Sequence, residues 1–337
     1  MDPRLLAAAQ KAGIHFMGVS ARLLDRSVAF DAQPELVTTS NAGIPQFLST
    51  FIDPKLIEIL IAPNKATVIV GREVKKGDWT TTTALFPVVE STGEVSSYGD
   101  YSNEGKSGAN TNFPERQSYH YQTVTQWGEK ELAVTALAKI DWANRQNIAS
   151  VSTLGKYQNK TYFYGVDGLK LYGLLNDPTL NAPIAPINVS GAITWDDKDA
   201  LGIYGDFLAL FKQLQTQTGN NSLIDMESPL TVALSSGVQP NLGKVTQYNV
   251  SVMDMVKKNF PNLRIETAPE YATASGNLVQ MIADDIEGQE TAITAFTEKL
   301  RAHPVVVDLS SFRQKKSQGT FGTIIFQPTA IAQMLGV

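Results

Sequence analysis

An α+β chain is what the sequence predicts, and three observations predict it. Two strand-like runs face each other across a long polar stretch. A long helical stretch follows directly. Beyond about residue 166, helix and strand patterns alternate. The polar stretch, residues 91–112, reads STGEVSSYGDYSNEGKSGANTN and is almost wholly Ser, Gly, Asn, Thr, Asp and Glu. Compact domains rarely carry an unstructured connection beyond about 12–15 residues unless it is functional or disordered. The polar tongue therefore needs a purpose.

The elements read in order as follows. Residues 1–50 show no sustained period, apart from a short helix over Pro3–Lys11 with proline in its first turn. Asp53-Pro54 caps a helix through KLIEIL, and Pro63 stops it. ATVIVGREV reads as a β-branched strand. Thr80–Val89 then places Ala84, Phe86 and Val88 on one face. Its expected partner, Ser118–Trp127, aligns Tyr119, Tyr121, Thr123, Thr125 and Trp127 at period two. Arms of this length reach about 33 Å. A two-stranded ribbon alone is marginal in water, so this one needs something to lie on.

After Gly128 a continuous helix is expected from Glu129 to about Gln158, with Leu137, Ile140, Ile148, Val151 and Leu154 on one stripe. It would span about 45 Å, as a strut with one flank packed and another exposed. Farther on, residues 198–215 form an amphipathic helix with Leu201, Tyr204, Phe207, Leu208, Phe211 and Leu214 aligned. PLTVALSSG is a strand, Ser251 and Asp254 box the start of helix VMDMVKKNF, and LRIETAP and NLVQMIADDI are strands. PVVVDLSS, a turn at KKSQG and TFGTIIFQP close the chain as a hairpin.

Composition narrows the function. The chain has 337 residues, 43% hydrophobic and 18% charged, within the globular range. A net charge of -5 argues against a dedicated nucleic-acid reader. It leaves room for weak contact through Lys75-Lys76, Lys257-Lys258 and Lys315-Lys316. There is no cysteine, which excludes thiol catalysis, zinc–thiolate sites and disulfides. His15, His120 and His303 are scattered without metal-ligand spacing, and Gly105-Lys106-Ser107 lacks the upstream glycine of a phosphate loop. Asp284, Asp285 and Glu287 are the densest acid cluster and read as a solvated strand end. No catalytic residue, cofactor or metal is expected, and the expectation is a non-enzyme.

A projecting ribbon, a strut helix and no visible chemistry describe a building block, and the residues carry a resemblance that fits. AGIPQFLSTFIDPKLIEIL, GDWTTTT, STGEVSSYGDYSNEG, FPERQSYHYQTVTQWGEKEL, YFYGVDGLKLYGLLN, TAPEYATASG and the ending from FTEKLRAHPVVVDLSS onward resemble tailed-phage major capsid proteins of the Hong Kong 97-type fold. The resemblance runs from about residue 42 to the C-terminus. It implies an N-terminal arm over 1–48, a peripheral domain beginning at 49–75 and an extended loop, the E-loop hairpin, over 76–127. It further implies a spine helix within 128–165, an axial α/β domain over 166–299 and a return to the peripheral domain over 300–337.

The implied function is self-assembly into hexamers and pentamers of an icosahedral virion head, built in the host cytoplasm around double-stranded DNA that it touches weakly. Scaffolding and portal proteins, and a decoration protein, are the implied partners, with no membrane. Only about 41 residues precede AGIPQF, so a separate scaffolding protein is expected. The E-loop tip residues Tyr98, Tyr101, Lys106 and Phe113 are the expected contacts with a neighbouring subunit. Some relatives join a loop lysine to a neighbour's asparagine, and Lys106 sits at the matching end. That chemistry also needs a desolvated carboxylate, and no cross-link is expected. The rival readings are an encapsulin-type nanocompartment shell and, from a different class, an oligomeric carbohydrate-active enzyme, for which no convergent carboxylate pair can be assembled.

Overall fold

Helix α1 (Ala66–Val70) opens the described part of the protein, where a strand was expected. The computed structural model describes residues 64–137, 141–219 and 223–337. The expected arm, the helices at Pro3–Lys11 and 55–60, His15 and Ile140 lie outside the described residues. β-Branched residues favour strands, but here packing decides: α1 buries Ala66 and Ile69, and the Ala66 N–H donates to Asn159 Oδ1 at 3.0 Å. Gly71, at φ 80°, turns the chain into the three-residue strand β1 (Glu73–Lys75).

A ribbon follows in two pieces. β2 (Thr83–Leu85) pairs with β5 (Glu115–Gln117), and β3 (Val88–Glu94) pairs with β4 (Lys106–Asn112). Half of the tongue, residues 91–94 and 106–112, is thus ladder. The next strand, β6 (Tyr119–Gly128), is not the ribbon's return arm. It pairs over its whole length with β15 (Ser311–Ile325), from Ser311↔Gly128 to Thr320↔Tyr119. Tyr119, Tyr121 and Trp127 accordingly belong to the body. Trp127 is buried and stacks on Phe312, with ring centroids 6.2 Å apart.

The expected single strut is two helices, α2 (Glu129–Leu137) and α3 (Trp142–Tyr164). Asp141 starts the second by accepting from the Asn144 N–H at 3.2 Å, and Gly165 ends it. Only part of the expected stripe is packed. Leu154 is 2% exposed, whereas Leu137 is 87% exposed and Ile148 and Val151 also face solvent.

Two main sheets organise the rest. The first runs β1–β13–β15–β14 with β6 on β15; β13 is Ala292–Ala302 and β14 is Val306–Asp308. The expected turn at KKSQG does not exist: residues 315–319 lie inside β15, and bulges in its pairing with β13 absorb the irregular pattern. The chain turns instead at Asp308–Ser311, with Leu309 at φ 49°. The second sheet runs β16–β10–β7–β8, where β7 is Leu230–Leu234, β8 is Leu263–Thr267, β10 is Gly276–Ala283 and β16 is Ile331–Leu335; β9 (Ala272–Thr273) pairs with β10, and β11 (Asp285–Ile286) with β12 (Gln289–Glu290). Two corrections to the domain map follow. The boundary expected at 299/300 falls inside β13, and residues 331–335 join the second sheet.

The second sheet carries the largest core. Helix α4 (Ala200–Gln217) lays Ile203, Phe207, Leu210 and Leu214 on it, and α5 (Val252–Asn259) adds Val252 and Val256. Leu201, expected on that face, is exposed. Ser251 caps α5, accepting from the Asp254 N–H at 3.1 Å. At one edge a fully buried ion pair, Lys198–Asp206, is completed by Trp195 Nε1–H and the Ile187 N–H, which donate to Asp206 at 2.8 and 2.9 Å. Further hydrogen bonds to the buried carboxylate help to offset its desolvation.

Candidate functional site: a hairpin in two halves

The base of the hairpin is held by the body through Arg116, Gln117, Ala84 and Phe86, while Thr83 and Leu85 are exposed. Arg116 of β5 forms a buried ion pair with Asp177 at 2.9 Å and lies over the Tyr172 ring, 4.9 Å from its centroid. Asp177 also accepts from the Thr179 N–H and hydroxyl at 3.0 and 2.7 Å. The Gln117 N–H donates to the Lys170 carbonyl at 3.0 Å. Lys170 reaches back to Glu115 at 2.7 Å, and this bond holds the lysine pKa above its ordinary value. Ala84 and Phe86 pack on the small core of Ile293, Ala295, Phe321 and Ile324, and Phe86 meets Phe326 edge-on at 6.1 Å.

Before the base, Trp79 sits edge-on to His120 at 4.5 Å, with Arg301 5.2 Å above its ring. His120 Nε2 lies 3.2 Å from Thr297 Oγ1. Burial lowers the His120 pKa, with Glu298 acting in the opposite direction.

The distal half is the reverse. Every residue of β4 is exposed, and Val89 of β3 is 61% exposed. Beyond the ladder, Tyr98 is 92% exposed and Tyr101 wholly so. The Tyr98 hydroxyl donates to Asp100 Oδ1 at 2.8 Å, a contact within the tip itself. Gly105, at φ 86°, returns the chain into β4; a Cβ there would meet Ser96 at 3.1–3.2 Å. Lys106 opens β4 opposite Glu94. Most strand residues here are small or polar, and the few bulky apolar groups are exposed.

Of the residues expected at the interface, Tyr98, Tyr101, Lys106 and Phe113 share this exposed half, and Val88 begins it. Phe86 belongs to the base. Sequence reasoning missed Arg116 and Asp177, the pair that fixes the base. Their partnership spans 61 residues and leaves no local signal beyond an arginine in a short strand.

Other expected features also shift. Lys316 does not offer a surface charge beside Lys315: it is buried, donating to Asn147 Oδ1 and Ser150 Oγ at 2.8 and 2.6 Å, and burial lowers its pKa. Asp284 is no solvated strand end. It accepts from the Thr231 hydroxyl at 2.6 Å, lies 3.8 Å from Arg264, and has its pKa raised by burial. Among the described residues no group of three or more acid or histidine side chains is placed to hold a metal.

The described residues thus form a body with two main sheets and a hairpin whose outer half they leave uncovered. The model of the Pa193 gp26 major capsid protein family matches residues 35–336. The chain belongs to that family. It is a major capsid protein of tailed phages, with the Hong Kong 97-type fold.

Solved structures agree on the fold. The capsid of Myoviridae phage XM1 superposes with a TM-score of 0.74 at 14% identity, covering 88% of this chain and 100% of the other. The capsid of a native GTA particle gives 0.61 at 9% identity, covering 89% and 99%. Mycobacterium phage Ogopogo gives 0.57 at 9%, covering 88% and 100%. No curated protein matches the sequence. The family makes this a structural protein of the virion. No helix among the described residues is long and apolar enough to cross a membrane.

Proposed function

We propose that the capsid protein assembles as hexamers and pentamers, and that the distal hairpin of each subunit lies on the next subunit around the ring. The observation that carries this reading is the division of the hairpin. Its base is pinned to the body through Arg116, Gln117 and Phe86, while its outer half displays Val89, Tyr98, Tyr101 and Phe113, which the described residues leave uncovered. Burying an aromatic or large aliphatic side chain is worth about 1.5–3 kcal/mol, and head-to-tail contacts that close into rings repeat that gain at every interface. In this reading the first sheet with α3 forms the peripheral part and the second sheet with α4 and α5 the axial part. Val134, Leu137, Ile148 and Val151, exposed on α2 and α3, are further intersubunit surface. Scaffolding and portal proteins direct the assembly, a decoration protein is a further partner, and packaged DNA is touched without sequence specificity.

The test removes only the outer ladder. Replacing residues 91–109 by Asn-Gly keeps Glu90 opposite Asn110, so the base and the first rungs remain. The subunit is expected to melt within about 2 °C of the parent, a shift equivalent to about 1–1.5 kcal/mol for a chain of this size. Electron microscopy is expected to show no closed shells. Normal shells from this variant would remove the hairpin from the assembly contacts.

A further inference from the structure

We infer that the hairpin carries a built-in hinge at two facing Phe-Pro steps, Phe86-Pro87 and Phe113-Pro114, about which its outer half turns as one piece. The register shows how the step is made. Leu85 faces Glu115 below it and Val88 faces Asn112 above it, so the strands stay in phase with no inserted residue. Between those rungs Phe86 lies across from Pro114, and Pro87 from Phe113. The Phe86 N–H donates to the Pro114 carbonyl at 3.1 Å. The return bond cannot form, because proline has no N–H. The Phe113 N–H is taken by Asn112 Oδ1 at 2.8 Å. One backbone hydrogen bond therefore spans the gap between two regular ladders.

Packing changes at the same place. Phe86 is held against Phe326 on the body side, whereas Phe113, its counterpart on the other strand, is 56% exposed. Arg116–Asp177 locks the base two residues below Pro114. Above the step, seven pairs from Val88↔Asn112 to Glu94↔Lys106 form an uninterrupted ladder. The prolines also restrict the motion: each fixes its own φ and keeps the preceding phenylalanine extended. Bending is thus confined to a few torsions, as in a hinge and unlike a loose linker. This property belongs to the free subunit. Only its use, letting one sequence meet neighbours at the different angles of hexamers and pentamers, rests on the assembly reading.

The absence of cysteine makes the experiment direct. Spin labels on Ser91→Cys with Lys156→Cys report the outer half against α3, and Thr83→Cys with Lys156→Cys report the base; all three positions are exposed. Pulsed electron resonance on the full-length, unassembled protein is expected to give an outer distance distribution about twice as broad as that of the base. Pro87→Val with Pro114→Val, which restores the missing donor, is expected to narrow the outer distribution to the width of the base. An outer distribution already as narrow as the base, or one unchanged in the proline variant, would overturn the hinge.

Amide exchange on the unsubstituted protein gives a second reading that does not depend on the variant folding. The Phe86 amide is expected to exchange about tenfold faster than those of Ala84 and Thr92; equal rates would overturn the inference. Failure of the loop-replacement test, by contrast, would be read in shell formation and would leave these distances untouched.

Discussion

The two halves of the hairpin share one ladder register and little else. Below the Phe-Pro steps, Arg116, Gln117, Phe86 and Trp79 each have a partner in the body. Above them, Val88 and Val89 apart, the strand residues are small or polar, and the aromatics at the tip meet solvent. Long side chains that fill space or pair charge mark the part evolved to contact its own fold. Short side chains with a few exposed aromatics mark the part that the described residues leave uncovered. The same contrast recurs along α2 and α3, where Leu154 faces the core and Leu137 faces water.

Breaking the held half should have the largest effect on the subunit. Arg116→Ala leaves the Asp177 carboxylate buried without its cation, and a loss of about 3–5 kcal/mol is expected in chemical denaturation. A loss below about 1 kcal/mol would mean that the base is held by the other contacts. The helices give the next test. Leu154→Ala is expected to cost about 2–5 kcal/mol, while Leu137→Ala stays within about 0.5 kcal/mol. Equal costs for the two would erase the distinction between packed and unpacked flanks.

A smaller effect concerns pH at the approach to the base. Burial holds the His120 pKa below its ordinary value. As pH falls below about 6.5 the unfolded chain takes up the proton first, so the stability tied to neutral His120 is lost as pH drops through the lowered folded value. His120→Gln is expected to flatten that part of the stability–pH curve. An unchanged slope would assign it to other groups. The smallest effect on the subunit is expected at the tip: Tyr98→Ser with Tyr101→Ser should change monomer stability by less than about 0.5 kcal/mol while lowering shell yield. A destabilised monomer would mean that the tip folds back on its own chain.

Much of this was legible in the sequence where local pattern and tertiary role coincide. The helix at Ala200–Gln217, the Ser251 cap and the strands at 230–234, 263–267 and 276–283 follow from periodicity and capping chemistry. The tip aromatics stood out because nothing around them could form a core. The errors arise where distant packing overrides a local signal. ATVIV has strand-forming residues yet closes a helical turn against α3. KKSQG has a turn's composition yet runs straight, because β6 and β13 hold it from both sides. Tyr119–Trp127 alternates as a ribbon strand would, but period two does not reveal which strand lies opposite. The Arg116–Asp177 pair is invisible for the same reason.

The placement of β15 and β16 has a consequence for timing. The first sheet cannot join β6 to β13 until residues 311–325 have been made, and the second lacks its β16 edge until residues 331–335 follow. A nascent chain can build the hairpin's outer ladder early, from neighbouring residues, while the platform beneath it waits for the last strands. The order of synthesis thus withholds a fully seated hairpin from incomplete chains.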